Sequence, residues 1–429
     1  IDSMTGSGAT VLGGTLTIGD ASNTSATYDG AISGTGGLIK AGTGVLTLGG
    51  TNTYTGTTTL TAGTLRVAND SAVGGGTLIL NAGTLQGDGT ARTLANAVTL
   101  AASSTIAGTS ALTLAGALTN TGAFTLTGNN TGLTTLGDVT LSNSATNRTL
   151  TFAGTGNTNV TGTVINGSTS TSGITKSGAG TLALSGTNTY SGTTTVSAGT
   201  LEVGNDRAVG TGTLILGGGT LQGDGTSRTL SNAVSLGASS SIAGASDLTL
   251  SGTLTNTTSG SPTLKVNNTG LTTLGSVALS STGTSRTVTI AGSGNTRISG
   301  VISNGSTSTA SALAKTGTGT LTLGAANTYR GATTISGGTL ALGIADAVGA
   351  SSAVTVAAAG TFDLNGFSDT IGSLAGAGTV TSGAAGAVTL TSGGNNTSTT
   401  FSGVVQDGSG SVSLAKAGTG TLSMSGANT

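Results

Sequence analysis

Apolar residues return in this chain at a nearly constant interval. Leu78, Val98, Leu118, Val139 and Val160 follow one another at offsets of 20, 20, 21 and 21, and Leu46, Leu65, Leu85, Ile106 and Leu126 at offsets of 19, 20, 21 and 20. Each sits in a short segment alternating apolar with hydroxylated residues, as in Thr15 to Ile18, Thr64 to Val67, Thr77 to Leu80, Ala97 to Leu100 and Thr320 to Leu323. A two-residue period means strand. Gly, Asn and Asp bound the segments and tolerate the positive φ angles of tight corners. No 3.6-residue pattern is sustained, so helices should be nearly absent. A chain that comes back to one face about every 20 residues is a coil of a solenoid, each strand pairing in parallel with its counterpart one turn away. The expected fold is therefore all-β: a right-handed parallel β-helix, its hand set by the crossover rule, running as one continuous solenoid over residues 1–429. About 21 coils at about 4.8 Å each would make a rod roughly 100 Å long. A lone coil buries too little apolar surface to offset its backbone entropy, so stability has to accumulate by stacking.

A longer repeat lies over the first. Thr84 to Leu94, TLQGDGTARTL, returns as Thr220 to Leu230, TLQGDGTSRTL, and NNTGLTTLG returns at Asn267 to Gly275. Long units start near residues 40, 176, 315 and 416 and would hold about seven coils each. The second is two residues longer around Pro262, which reads as a surface loop. The third is shorter, since Lys416 follows Lys315 at an offset of only 101.

Composition removes most chemistry. The 429 residues include no His, Cys or Trp, one Pro and 6% charged residues, against about 25% in an ordinary domain. The commonest general base, the commonest metal ligand, the thiolate nucleophile and any disulfide are absent. A net charge of −1 offers no basic stripe for nucleic acid or an anionic membrane. No stretch approaches the roughly 20 apolar residues of a spanning helix, and no signal peptide is visible. The chain reads as a window of a longer protein whose anchoring segment lies elsewhere.

The unit starts carry a resemblance. Lys40 to Val67 reads KAGTGVLTLGGTNTYTGTTTLTAGTLRV, Lys176 to Val203 KSGAGTLALSGTNTYSGTTTVSAGTLEV, and Lys315 to Leu342 KTGTGTLTLGAANTYRGATTISGGTLAL. A fourth copy, KAGTGTLSMSGANT, begins at Lys416, and LNGFSDTIGSLAGAGTV at Leu364 to Val380 looks like the same kind of segment. These resemble the autotransporter-associated, or passenger-associated, β-strand repeats of bacterial surface proteins and adhesins. The resemblance implies a right-handed β-helical passenger exported through an outer-membrane barrel, or a secreted adhesin or surface fibre, and so an extracellular or cell-surface location.

Several residues invite a functional reading. The tripeptide Asn-Thr-Tyr at 52–54, 188–190 and 327–329 could stack a sugar, but Asn bonding a corner with Tyr covering it is the stronger reading. Lys40, Lys176, Lys315 and Lys416 read as solvated corner charges. Asp70 with Asp88, and Asp206 with Asp224, are separated along the chain by nearly one coil and could pair as glycosidase carboxylates or bind calcium. Their Gly-flanked turns, with Arg92 and Arg228 four residues beyond Asp88 and Asp224, suit turn caps with surface ion pairs better. The sequon at Asn130 follows from composition. Ice binding needs unbroken Thr-x-Thr arrays, whereas the outward pairs run Thr64/Arg66 then Thr84/Gln86, and Ala97/Thr99, Ala117/Thr119, Asp138/Thr140. The expectation is a structural or adhesive extracellular segment, not an enzyme, with no catalytic, cofactor or metal residue. A polysaccharide-binding or polysaccharide-degrading β-helix and an ice-binding solenoid are the alternatives. Its partners would be other copies of the chain or cell-surface glycans, with no nucleic acid and no membrane insertion in this segment.

Overall fold

A computed structural model describes residues 1–19, 23–305 and 310–429. These form 52 short strands and no helix. The strands stack in parallel as a β-solenoid of about 19 turns, about 21 residues to the turn, slightly fewer turns than the spacing in the sequence suggests. Two compact units, Ile1–Thr213 and Leu214–Thr429, divide the chain.

In unit 1, besides a two-stranded pairing of Thr10–Leu12 with Ile32–Gly34, the strands form three ladders, visited in a fixed order. The first runs from Leu16–Ile18 to Val164–Ile165, the second from Ala26–Tyr28 to Thr194–Val196, and the third from Arg92–Leu94 to Thr200–Val203. Two of these were visible as the two spaced rows of apolar residues. Leu46, Leu65, Leu85 and Ile106 pair in register on the second ladder, and Leu78, Val98, Leu118 and Val139 on the first. All eight are at most 1% exposed. Beyond them the expected rows are wrong. Ile106 pairs with Gly128 while Leu126 sits opposite Ser104. Val139 pairs with Val164, leaving Val160 on the third ladder between Leu136 and Leu184. The cause in each case is an overlong turn: 22 residues separate Ile106 from Gly128 and 25 separate Val139 from Val164.

In unit 2 one ladder runs from Leu214–Leu216 to Ile302–Ser303, another from Thr220–Gly223 to Leu422–Met424, and a third from Arg228–Leu230 to Val404–Val405. A short ladder joins Asp369–Ile371, Ala387–Ser392 and Ser411–Lys416. Along each strand, side chains alternate between a closed interior and the surface.

The long repeat is not a whole number of turns. Leu38–Lys40 lies on the first ladder of unit 1, and the chain returns there at Thr58, Leu78, Val98, Leu118, Val139 and Val164. It then places Gly173–Lys176, the next repeat start, on the second ladder. The unit therefore spans six turns and a third rather than seven. In unit 2, likewise, Ala312–Lys315 and Ser411–Lys416 fall on different ladders.

Candidate functional site

The first three repeats each bury the same set of polar groups in the same way: a lysine, an asparagine, a tyrosine and a threonine. Lys40 ends a strand, Leu38-Ile39-Lys40, whose alternation turns Leu38 and Lys40 inward and Ile39 outward. Its neighbour in register is Leu60, so an ammonium stands in an apolar column. Lys40, Lys176 and Lys315 are 2%, 3% and 2% exposed, which corrects the expectation of solvated corner charges. Each Nζ donates to three backbone carbonyls and has no carboxylate partner. For Lys176 these are Ser177 (2.7 Å), Gly178 (2.9 Å) and, one turn on, Ala198 (3.5 Å). For Lys315 they are Thr316, Gly317 and Gly337, at 2.9, 3.1 and 3.3 Å. Lys40 uses Ala41, Gly42 and Ala62. The carbonyl dipoles favour the ammonium, but burial pulls its pKa down, to about 8 at Lys176 and Lys315 and in the same direction at Lys40. Gly63, Gly199 and Gly338 close over the ammonium with φ near +65°, +62° and +64°. A Cβ at each would lie 2.8 Å from the Nζ, so the close approach as well as the backbone requires glycine. Lys416 makes the same two local bonds, to Ala417 and Gly418.

The Asn-Thr-Tyr tripeptide takes the place of a strand. No strand forms at 52–54; instead Thr53 N–H donates to Ile32 O (2.7 Å) and Gly75 N–H to Tyr54 O (2.8 Å). Asn52 joins three turns: it accepts from Ile32 N–H (2.8 Å) and donates to Ala72 O (2.6 Å). Asn188 does the same between Val164 and Ala208, and Asn327 between Ile302 and Ala347. Tyr54, Tyr190 and Tyr329 are at most 1% exposed and cannot stack a sugar. Each hydroxyl meets the Thr four residues on, Thr58, Thr194 or Thr333. Thr58 and Thr194 donate in turn to Val73 O (2.9 Å) and Val209 O (3.1 Å) of the next turn. Burial pushes the phenol pKa of Tyr54 and Tyr329 up to about 12, and that of Tyr190 higher still.

The four aspartates lie exposed in turns. Asp88 caps Thr90 N–H (3.1 Å) and holds Arg92 through two bonds, 3.0 and 2.6 Å; Asp224 repeats this with Thr226 and Arg228. The Arg bonds hold both carboxyls below the usual range, the wrong direction for a general acid. Asp70 accepts from Thr93 N–H of the following turn (3.1 Å) and borders a depression of 160 Å³, below the roughly 300–1,000 Å³ of ligand pockets. Asp206 lies in the turn that repeats that of Asp70. Among the described residues no three carboxylates gather where they could hold a metal ion. The outward column of the first ladder reads Thr59, Ile79, Thr99, Thr119, an interrupted Thr array.

One ionisable group was missed entirely. Asp369 is 2% exposed; its Oδ2 accepts from Val348 N–H (3.0 Å), its Oδ1 has no partner, and burial pushes its pKa up to about 7. The available signal was positional: Asp369 follows Phe362 at the same interval as Arg92 follows Leu85, so an acid replaces the base of the earlier units.

Comparison with known families agrees with these boundaries. A passenger-associated-transport-repeat occurs at residues 38–67, 174–203, 313–342 and 414–429, the first three being the segments that hold the buried lysines and the tripeptides. No curated protein and no solved structure is significantly similar to the chain.

Proposed function

We propose that the chain is a structural and adhesive segment of an autotransporter-type passenger, working outside the cell or at the bacterial surface, without catalysis. The observation that carries this reading is the fourfold passenger-associated-transport-repeat within a β-solenoid. Its distinctive side chains are spent inside the fold. Lysine and asparagine, the groups in the repeat best able to bind a ligand, bond neighbouring turns instead, and tyrosine bonds the buried Thr four residues on. Within each unit, successive repeats also start on different ladders, so no face carries the motif as an array. Adhesion then rests on many weak contacts of outward Thr, Ser and Asn, adding by multivalency, to glycans or to other copies of the chain.

The test combines binding with turnover. The chain displayed on cells should raise attachment to a glycan-coated surface. The fourfold variant Asp70→Asn, Asp88→Asn, Asp206→Asn, Asp224→Asn should attach equally well, losing about 0.5–2 kcal/mol per cap by analogy with helix caps. Release of reducing or unsaturated sugar from a polysaccharide panel by the parent but not the variant would sink the non-catalytic reading. Absence of any attachment would remove the adhesive part.

A further inference from the structure

The apolar interior leaves one misfold open. A solenoid can skip a turn, pairing a strand with the strand two turns on and extruding the turn between. On the first ladder of unit 1, Leu60, Leu80 and Leu100 are all fully buried and follow one another in register. Any of them would stack on any other. The outward residues Ile39, Thr59 and Ile79 are equally interchangeable. Where pattern is degenerate, register is weakly specified.

The polar interior of the repeat is not degenerate. We propose that the tripeptide Asn-Thr-Tyr, with the Thr four residues after its Tyr, is a register lock that forbids the skipped turn. Thr58 occupies an inward column between Leu38 and Leu78, the only hydroxyl among those three. If Leu38–Lys40 paired with Leu78–Leu80, Leu78 would replace Thr58 beneath the Tyr54 hydroxyl. Ala72 and Val73 would leave with the extruded turn, stranding the Asn52 amide and the Ile32–Asn52–Ala72 bridge. A buried polar group without a partner is penalised far more than a made bond is rewarded. Lys40 alone would not discriminate, because Ala82-Gly83 repeats the Ala62-Gly63 that closes over it. The same arrangement recurs at Asn188, Tyr190 and Thr194, and at Asn327, Tyr329 and Thr333. Between locks, Asn120 does a lesser version of the task, donating to Leu141 O of the next turn (3.0 Å).

The chain has no cysteine, so an engineered pair reports register directly. Ile39→Cys with Thr59→Cys joins register partners, at the strand spacing of about 4.8 Å that a disulfide spans. Ile39→Cys with Ile79→Cys joins residues two turns apart, out of reach unless a turn is skipped. In the background Asn52→Leu, Tyr54→Phe, Thr58→Leu, which makes the column uniformly apolar, the ratio of skipped to native cross-link should rise roughly tenfold or more. Leu114→Ala, destabilising and on the third ladder away from both the lock and the skipped pairing, should leave the ratio at its parent value. An unchanged ratio in the triple variant, or an equal rise in Leu114→Ala, overturns the proposal in favour of simple stabilisation. Should the triple variant fail to fold, Tyr54→Phe, which removes one oxygen, is read in the same way.

Discussion

The turns of the repeat and the turns between repeats handle buried polarity in opposite ways. In Lys40–Val67, an ammonium, an amide, a phenol and a hydroxyl are buried, and each finds its partners. In the turns that follow, Asn120 Oδ1, Asn130 Oδ1 and Thr134 Oγ1 are buried with no partner, and in unit 2 Asn268 Oδ1, Thr296 Oγ1 and Asp369 Oδ1 repeat the deficit. The intervening turns have more regular strands on all three sides, whereas the repeat gives up a strand at 52–54. Regular backbone pairing thus accompanies imperfect side-chain satisfaction, and an irregular side accompanies complete satisfaction. At 52–54 the Asn52 side chain does what a strand does elsewhere, bonding the turn before and the turn after its own. The difference teaches that the repeat is the pinned part of the solenoid and the turns between are filler of lower specificity.

That contrast can be broken by substitution, with hydrogen-exchange protection of the affected strands as the measure, since stacked turns need not unfold in two states. The largest effect belongs to Tyr190→Ala, which empties a fully buried site and should destabilise its turns by about 3–5 kcal/mol. Thr113→Ala, outward between repeats, should stay within about 0.5 kcal/mol.

Asp369 sharpens the contrast through pH. Its folded pKa is raised from 3.8 to about 7, so folding takes up a proton between those values. The stability it contributes is full below pH 3.8 and is lost as pH rises through 7. The facing ionisable groups are Asp346, whose negative charge adds to the upward shift, and the Tyr329 phenol. Asp369→Asn should flatten this slope and stabilise unit 2 above neutrality by on the order of 2–4 kcal/mol. A parent whose protection does not change between acid and neutral pH would contradict it.

A paired test comes next. Asn52→Leu should cost about 2–3 kcal/mol, because it strands Ile32 N–H and Ala72 C=O, whereas Thr134→Val, which deletes an unpaired hydroxyl, should be neutral or stabilising by up to about 1 kcal/mol. Equal costs at the two sites would erase the distinction between pinned and filler turns.

The smaller of the two pH effects is expected at Lys176. Its folded pKa of about 8 lies below 10.5, so the unfolded chain holds the proton longer and stability should rise as pH climbs from about 8 to 10.5. Lys176→Met should remove the rise, a change of about 1–3 kcal/mol across that range. A parent with flat alkaline stability would show that the three carbonyls fully offset burial.

Much of this was legible without coordinates, and the exceptions share a cause. The two rows led by Leu46 and Leu78 were readable because alternation decides which residues face inward and the near-constant return decides which of them stack. The same alternation in Leu38-Ile39-Lys40 already pointed Lys40 inward, but the rule that charges are exposed outweighed it; only the converging carbonyls of Ala41, Gly42 and Ala62 make the burial tolerable. The aspartate turns were readable because a cap and an ion pair four residues apart are local.

By itself, then, the sequence determined what is local or strictly periodic: strands, corners, inward and outward faces, the repeat and its boundaries, and the absence of His and Cys chemistry. Only the tertiary structure decided which strand meets which. Extra residues add up along the chain, so the overlong turn after Val139 moves Val160 to another ladder and brings Val164 in its place. The same accumulation starts the second repeat of unit 1 a third of a turn on from the first. Whether a polar side chain is buried was likewise settled by its neighbouring turn: Lys40 is 2% exposed because Ala62, one turn on, supplies its third carbonyl. A partner one turn away is set by stacking, which no local pattern encodes.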